Sequence, residues 1–265
     1  MTTHPCFVPG DGAPLGGVIH LPEGDDLLEP AVVMLPGLEA ERIRIGGVKD
    51  AADRLAHHGH PVLRLDHPGS GTSPGANPPR SEVTNIFNEA TNWFLHLTGS
   101  RTASLGGVCA GGSYGIRVAG MNDQVAMVVV QGGRLRQRVG KERPTIAAGL
   151  AAVDLLERVP RPRSSTRGSS GVYAEEVWSD EQVETLRAAT RHAEVVFVFG
   201  DGDPGAEDVD ELRRTGPIPS HAKDRIHMER LDVDRANTVQ DARHDDALVE
   251  VLVRRLANIE RTPHG

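Results

Sequence analysis

Cysteine is scarce in this sequence: Cys6 and Cys109 are the only two among 265 residues. Two cysteines allow one bridge at most and no disulfide framework, which fits a reducing cytoplasm. Positive charge is also in deficit. Lys and Arg number 29 against 37 Asp and Glu, for a net charge of −8. That balance argues against nucleic acid as the main partner, because phosphate binding requires excess cations. No apolar run approaches the roughly 18 residues of a membrane span. The opening Met1-Thr2-Thr3-His4-Pro5-Cys6 has neither a basic nor an apolar stretch of the signal-peptide kind, so a cytoplasmic chain is expected. No His-x-Glu or Cys-x-x-Cys cluster, no Walker-type loop and no internal repeat occurs, so neither a metal nor an organic cofactor is expected.

Hydrophobic residues make up 38% and charged residues 25% of the chain, enough for an ordinary globular core. Its length suits one large domain, or one domain with an insertion. Buried apolar runs alternate with helical patterns, which predicts βαβ units and a mostly parallel sheet flanked by helices. Cys6-Phe7-Val8 and Gly17 to Leu21 are expected to form an opening hairpin around a Gly/Pro-rich turn. Further strands are expected at Ala31–Leu35, Pro61–Leu65, Thr102–Gly106, Val125–Val130 and Val195–Phe199, with a weaker one at Arg230–Val233. Helices are expected near Val48–His58, Glu82–Leu97 and Asp245–Ile259, the last with Leu248, Val251, Leu252 and Leu256 on one face. Residues 132–190 interrupt the alternation and separate a core of residues 1–131 and 191–265. They read as a helical cap, with helical patterns near Thr145–Arg158 and Ala174–His192 around a Pro/Arg/Ser/Gly-rich loop from Pro160 to Gly171.

Gly107-Val108-Cys109-Ala110-Gly111 follows one of these strands and precedes a helical stretch. A strand, then Gly-x-nucleophile-x-Gly, then a helix is the nucleophile elbow. The nucleophile must sit on a sharp turn, so its neighbours must be small, as Gly107, Ala110, Gly111 and Gly112 are. A cysteine there lies at a helix N-terminus, where the macrodipole favours the thiolate. The backbone N–H of Ala110 is then one oxyanion donor. Cys109 as a structural cysteine beside a glycine turn is the competing reading.

These residues carry a resemblance. Met34-Leu35-Pro36-Gly37-Leu38, the run Leu63-Arg64-Leu65-Asp66-His67-Pro68-Gly69-Ser70-Gly71-Thr72-Ser73 and the elbow together resemble the α/β-hydrolase superfamily over nearly the whole chain. Its Gly-x-Cys-x-Gly branch is similar to exosortase-associated hydrolases and to cysteine thioesterases of natural-product biosynthesis. The resemblance implies the α/β-hydrolase fold, and it makes the Leu38 N–H the second oxyanion donor. It puts the acid at Asp203 in Gly200-Asp201-Gly202-Asp203, with Asp201 as the near alternative. The family's histidine belongs after the last strand, where this chain reads Arg235-Ala236-Asn237-Thr238-Val239. His244 is the next histidine and the first candidate for the base, and His67 is the second. Cysteine needs its base less than serine for acylation, but water attack on an acyl-enzyme still requires one.

Between Arg134 and Arg167 stand nine basic residues and three acidic ones, a net +6. Such a segment attracts a carboxylate substrate, coenzyme A or an acidic carrier protein, unless it is only a solvated face. The sequence therefore predicts acyl chemistry on an ester or thioester through an acyl-cysteine at Cys109. One rival is a lyase on the same fold that eliminates an acyloxy group. The other is a non-catalytic binding protein.

Overall fold

The computed structural model describes residues 1–10, 12–24, 27–36, 46–108, 110–133, 135–139, 175–234 and 251–256. Strands β1 (Thr2–Val8) and β2 (Leu15–Leu21) form the expected opening hairpin, paired antiparallel from Thr2↔Leu21 to Val8↔Leu15. Next come β3 (Ala31–Leu35), α1 (Gly46–His57), β4 (Val62–Leu65), α2 (Arg80–Thr98), β5 (Ala103–Val108), α3 (Ala110–Ala119) and β6 (Val125–Gln131). After β7 (Arg136–Val139) and β8 (Glu175–Trp178) the chain continues through α4 (Asp180–Ala189), β9 (Glu194–Asp201), α5 (Pro204–Thr215), α6 (Ser220–Asp224) and β10 (Ile226–Asp234). Residues 251–256 are helical.

The main sheet has eight strands in the order β1-β2-β4-β3-β5-β6-β9-β10. From β4 to β10 every pairing is parallel. Parallel strands covered on both faces need apolar side chains throughout, and β4, β5, β6 and β9 are buried along nearly their whole length. Leu55 of α1 packs with Val32, Val129 and Val198 on one face. Val251, Leu252 and Leu256 of the C-terminal helical segment join that cluster, as their spacing predicts.

The chain divides into two compact units, Met1–Leu135 with Asp180–Gly265, and Arg136–Ser179. This boundary lies inside the 132–190 expected from sequence, because α4 groups with the sheet unit. In the second unit β7 and β8 pair antiparallel, with the Arg136 guanidinium 5.8 Å from the Trp178 ring centre. The helical pattern expected over 174–192 is thus corrected: Glu175–Trp178 is a strand, and the helix begins only at Asp180. Pairing with a distant strand overrides local periodicity there. Acidic Asp180 and Glu181 in the first turn of α4 complement its dipole. The pattern expected at Thr145–Arg158 lies outside the described residues. Helices α5 and α6 have no counterpart in the sequence reading. No helix among the described residues is long and apolar enough to cross a membrane.

A buried polar relay ties β2, β4 and α1 together. Arg64 Nε donates to His20 Nε2 at 2.8 Å, so that nitrogen must hold a lone pair. His20 Nδ1 therefore carries the proton and donates to Asp53 Oδ1 at 2.7 Å. Lys49 completes the set by bonding the other Asp53 oxygen. Burial, and then the Arg64 charge, push the His20 pKa down, against the pull of Asp53. A histidine held below its ordinary value gives stability that is present above that value and lost as pH falls through it. Unfolding by denaturant at about pH 7.5 and about pH 5.5 should show a fall in stability that is reduced in His20→Asn. At the higher pH the variant itself should cost about 2 kcal/mol, because it removes the buried group that bridges Arg64 and Asp53. An unchanged pH slope in the variant would remove His20 from this role.

Candidate active site

β5 ends at Val108 and α3 begins at Ala110, on either side of position 109. The glycines around it are there for steric reasons. A Cβ on Gly107 would lie 2.3 Å from the Gly111 carbonyl carbon and 2.5 Å from the Gly112 nitrogen. A Cβ on Gly111 would lie 2.5 Å from the Leu35 carbonyl oxygen, and one on Gly112 would lie 2.4 Å from Val130 Cγ1. The first turn of α3 is therefore pressed onto the ends of β3, β5 and β6, and no side chain fits between them. Ala110 opens α3, where backbone N–H groups have no intrahelical acceptor. Cys109, Leu38 and His244 lie outside the described residues.

The acid candidates can be told apart. Asp201 is exposed and ends β9. Asp203 is half-buried and caps α5, with its Oδ1 accepting from Gly205 N at 2.9 Å. Its Oδ2 lies 3.8 Å from where a Gly132 Cβ would stand, in the turn that ends β6. Gly133 in the same turn and Gly205 are in backbone contact, since a Cβ on Gly205 would lie 2.0 Å from the Gly133 oxygen. Val108 pairs with Gln131 and Gln131 with Val198, so β5, β6 and β9 present adjacent ends. Two strand spacings, about 10 Å, separate the ends of β5 and β9. That gap suits a nucleophile and an acid with an imidazole between them.

His67 belongs to a different environment. It is buried in the loop after β4, its Nδ1 donates to the Pro68 carbonyl at 3.0 Å, and its Nε2 has no partner among the described residues. Phe87 packs edge-on to the ring at 6.2 Å and Tyr114 lies at 5.9 Å. The loop itself is braced: Asp66 Oδ2 accepts from Thr72 N and Oγ1 at 2.8 and 2.7 Å, and Ser73 Oγ accepts from Gly16 N at 3.0 Å.

A cavity of about 230 Å³ opens beside the first turn of α3. Ala110, Tyr114 and Arg117 of α3 line it together with Gly132, Phe197 and Arg80. Burial pushes the Tyr114 hydroxyl pKa up, while the charges of Arg80 and Arg117 pull it back. Arg117 bonds Glu181 at 2.7 Å. Buried Asp208 of α5 supports the same wall, its Oδ2 accepting from Leu135 N at 3.0 Å. None of Arg80, Tyr114, Arg117 or Asp208 was expected from sequence. Tyr114 and Arg117 stand four and seven residues beyond Ala110, a helical spacing that places them on its face. Among the described residues no cluster of His, Cys, Asp and Glu could hold a metal ion.

The alpha/beta hydrolase fold family matches residues 30–222, more than half of the chain. The chain belongs to the α/β-hydrolase fold family. Solved structures similar to this hydrolase-fold chain include the thioesterase domain from the curacin biosynthetic pathway. That domain is 13% identical, with a TM-score of 0.62 over 97% of this chain and 100% of that one. An α/β serine hydrolase homologue from Coxiella burnetii is 16% identical, with a TM-score of 0.62 over 97% and 98%. An α/β serine hydrolase without lid from Xanthomonas campestris is 14% identical, with a TM-score of 0.62 over 98% and 96%. At these identities the likeness is one of fold. No curated protein matches the chain.

Two substitutions test the elbow's packing. Gly111→Ala should destabilise the protein by about 2 kcal/mol or more, because the new methyl meets backbone that cannot turn away. Gly106→Ala, where nothing lies within 4 Å of the new Cβ, should be nearly neutral. Thermal unfolding of the pair checks this, and equal losses would overturn the packing account. A separate test addresses Asp203. Asn caps a helix about as well as Asp, so Asp203→Asn should leave stability nearly unchanged. With Asp203 as the acid that the sequence resemblance implies, the variant should still lower kcat by a factor on the order of 100 or more, because the charge that would orient a base is gone. Full activity in that variant would exclude Asp203 as the acid.

Proposed function

We propose that this chain hydrolyses an ester or thioester through an acyl-cysteine intermediate at Cys109. The observation that supports the reading is the junction on either side of position 109: β5 ends at Val108, α3 begins at Ala110, and glycine-to-backbone contacts hold the two together. The N-terminal end of α3 favours negative charge, and so a thiolate at that position. Cys109 is then of the nucleophile kind and not a packing residue.

The Cys109 thiolate attacks the acyl carbon and forms a C–S bond. The N–H groups of Ala110 and Leu38 hold the resulting oxyanion. Collapse of the tetrahedral intermediate breaks the bond to the alcohol or thiol, which takes a proton from His244. Water then gives a proton to His244 and attacks the acyl-cysteine, releasing the acid and restoring the thiolate. Asp203 orients the imidazole and stabilises its protonated form. The half-burial of Asp203 and the cap that fixes one of its oxygens support this assignment over the exposed Asp201. The packed surroundings of His67 suit a ring that shapes the wall behind Tyr114, and they favour His244 for the base. The Gly-x-Cys-x-Gly elbow supports kinship with the cysteine thioesterases of natural-product biosynthesis, where the acyl group arrives on a carrier protein or coenzyme A.

Intact mass after incubation with a panel of acyl thioesters tests the nucleophile. The wild type should gain the acyl mass on Cys109, and Cys109→Ala should gain none. Adduct formation that persists in the alanine variant would overturn the reading. His244→Ala should acylate yet release acid more slowly by roughly 100-fold or more, so the adduct accumulates. Incorporation of heavy oxygen from water into the acid product separates hydrolysis from the elimination reading.

A further inference from the structure

The cavity beside α3 holds more positive charge than its walls require. Arg80 and Arg117 both line it, and both act electrostatically on the Tyr114 hydroxyl, so the two cations address one space. Arg117 is part-buried, and one of its terminal nitrogens is bonded to Glu181. Arg80 is different. It is exposed, and its guanidinium has no ion-pair partner among the described residues; its carbonyl alone is bonded, accepting from Thr84 Oγ1. It is also the first residue of α2, where the helix dipole opposes a cation. An exposed cation set against a dipole, with no carboxylate bonded to it among the described residues, lines a cavity whose other walls are mostly uncharged. An anionic ligand would balance it.

We infer that this cavity takes an acyl group that ends in a second, free carboxylate, and that Arg80 is the specificity-determining residue that reads it. The inference rests on the proposed acyl chemistry at Cys109, whose neighbour Ala110 forms one wall of the cavity. The apolar side chains Val130, Leu186 and Phe197 would cover the carbon chain. The fork geometry of a guanidinium suits a carboxylate bidentately. A volume of about 230 Å³ is below the usual range for drug-sized ligands, so a short acyl chain fits better than a long one. The carboxylate of Glu181 already occupies part of Arg117 and competes with a ligand there.

The test uses the full chain with Cys109→Ala, which prevents turnover, and two probes of one skeleton: monomethyl glutarate, with one free carboxylate, and dimethyl glutarate, with none. Calorimetric or ligand-observed NMR titration should show the monoester binding about tenfold or more tightly than the diester. Adding Arg80→Gln should abolish that preference without lowering the melting temperature, since among the described residues Arg80 has no ion-pair partner to lose and the α2 dipole opposes its charge. Adding Glu181→Gln, which frees Arg117, should strengthen monoester binding. The preference should weaken as salt rises, because Arg80 is exposed. Equal binding of the two probes, or a preference that survives Arg80→Gln, would overturn the inference. The failure of the catalytic reading looks different. If the wild type forms no acyl-enzyme and hydrolyses no ester, yet Arg80-dependent binding of the monoester remains, the subsite stands and the acyl chemistry falls. If neutral and anionic esters are hydrolysed equally well, the chemistry stands and the subsite falls.

Discussion

The structure depends on one close approach, that of the first turn of α3 to the backbone of the neighbouring strands. Gly107 meets Gly111 and Gly112, and Gly111 meets the Leu35 carbonyl, at distances that leave no room for a Cβ. A side chain at any of these positions would lift α3 from the sheet. Val130 and Val128 would then lose their packing against Gly112 and Gly115, and the junction at position 109 would open. The same contact bears on the proposed chemistry. The N-terminal, positive end of α3 lies on the strand ends beside the end of β5, where the proposed mechanism needs it.

The neighbouring strand ends repeat the device on a smaller scale. Gly132 and Gly133 both adopt positive φ, +69° and +104°, and turn the chain at the end of β6 out of the way. That turn allows Gly205 to touch the Gly133 oxygen and sets Asp203 beside Gly132. Asp203 then does two things. One oxygen caps α5, which holds the carboxylate in place, and the other is left toward the turn between β6 and β9. A cap is an economical way to fix a carboxylate, because the helix supplies the N–H donor and no further side chain is needed. Asp208, one turn along the same helix, ties Leu135 to it and so fixes the far end of the turn.

These features differed in how far they could be read from sequence. The parallel strands were legible because burial on both faces demands unbroken runs such as Ala31–Leu35 and Val125–Gln131. The elbow was legible because its steric demand selects glycine at fixed spacing. Helix α5 is harder to see in the sequence: Asp203, Pro204 and Glu207 are ordinary start signals, but the Gly200-Asp201-Gly202-Asp203 run has the composition of a loop that carries an acid, and the cap is hidden in it. Glu175–Trp178 was read as helix because its partner, Arg136–Val139, is far away in sequence and local periodicity carries no trace of it. The relay through His20, Asp53 and Arg64 joins three elements, and no spacing within any one of them announces it.

Arg80 shows where such reading stops for local reasons. In sequence it follows Asn77-Pro78-Pro79 and looks like a solvated charge before a helix. Its meaning comes from two facts of assembly: α2 starts at that residue, and α3 brings Arg117 and Tyr114 to the same space. The dipole of α2 makes the position unfavourable for a cation, and among the described residues no carboxylate is paired with its guanidinium. Arg117 faces the same space but has Glu181, so its charge is largely answered within the protein. The two arginines are thus unequal, one held and one open. Glu181 is exposed, and an ion pair screened by solvent on one side contributes on the order of 1 kcal/mol, so Glu181 does not lock Arg117 away from a ligand that reaches deeper into the cavity. The open cation selects at the mouth, and the held one is left to respond to what enters.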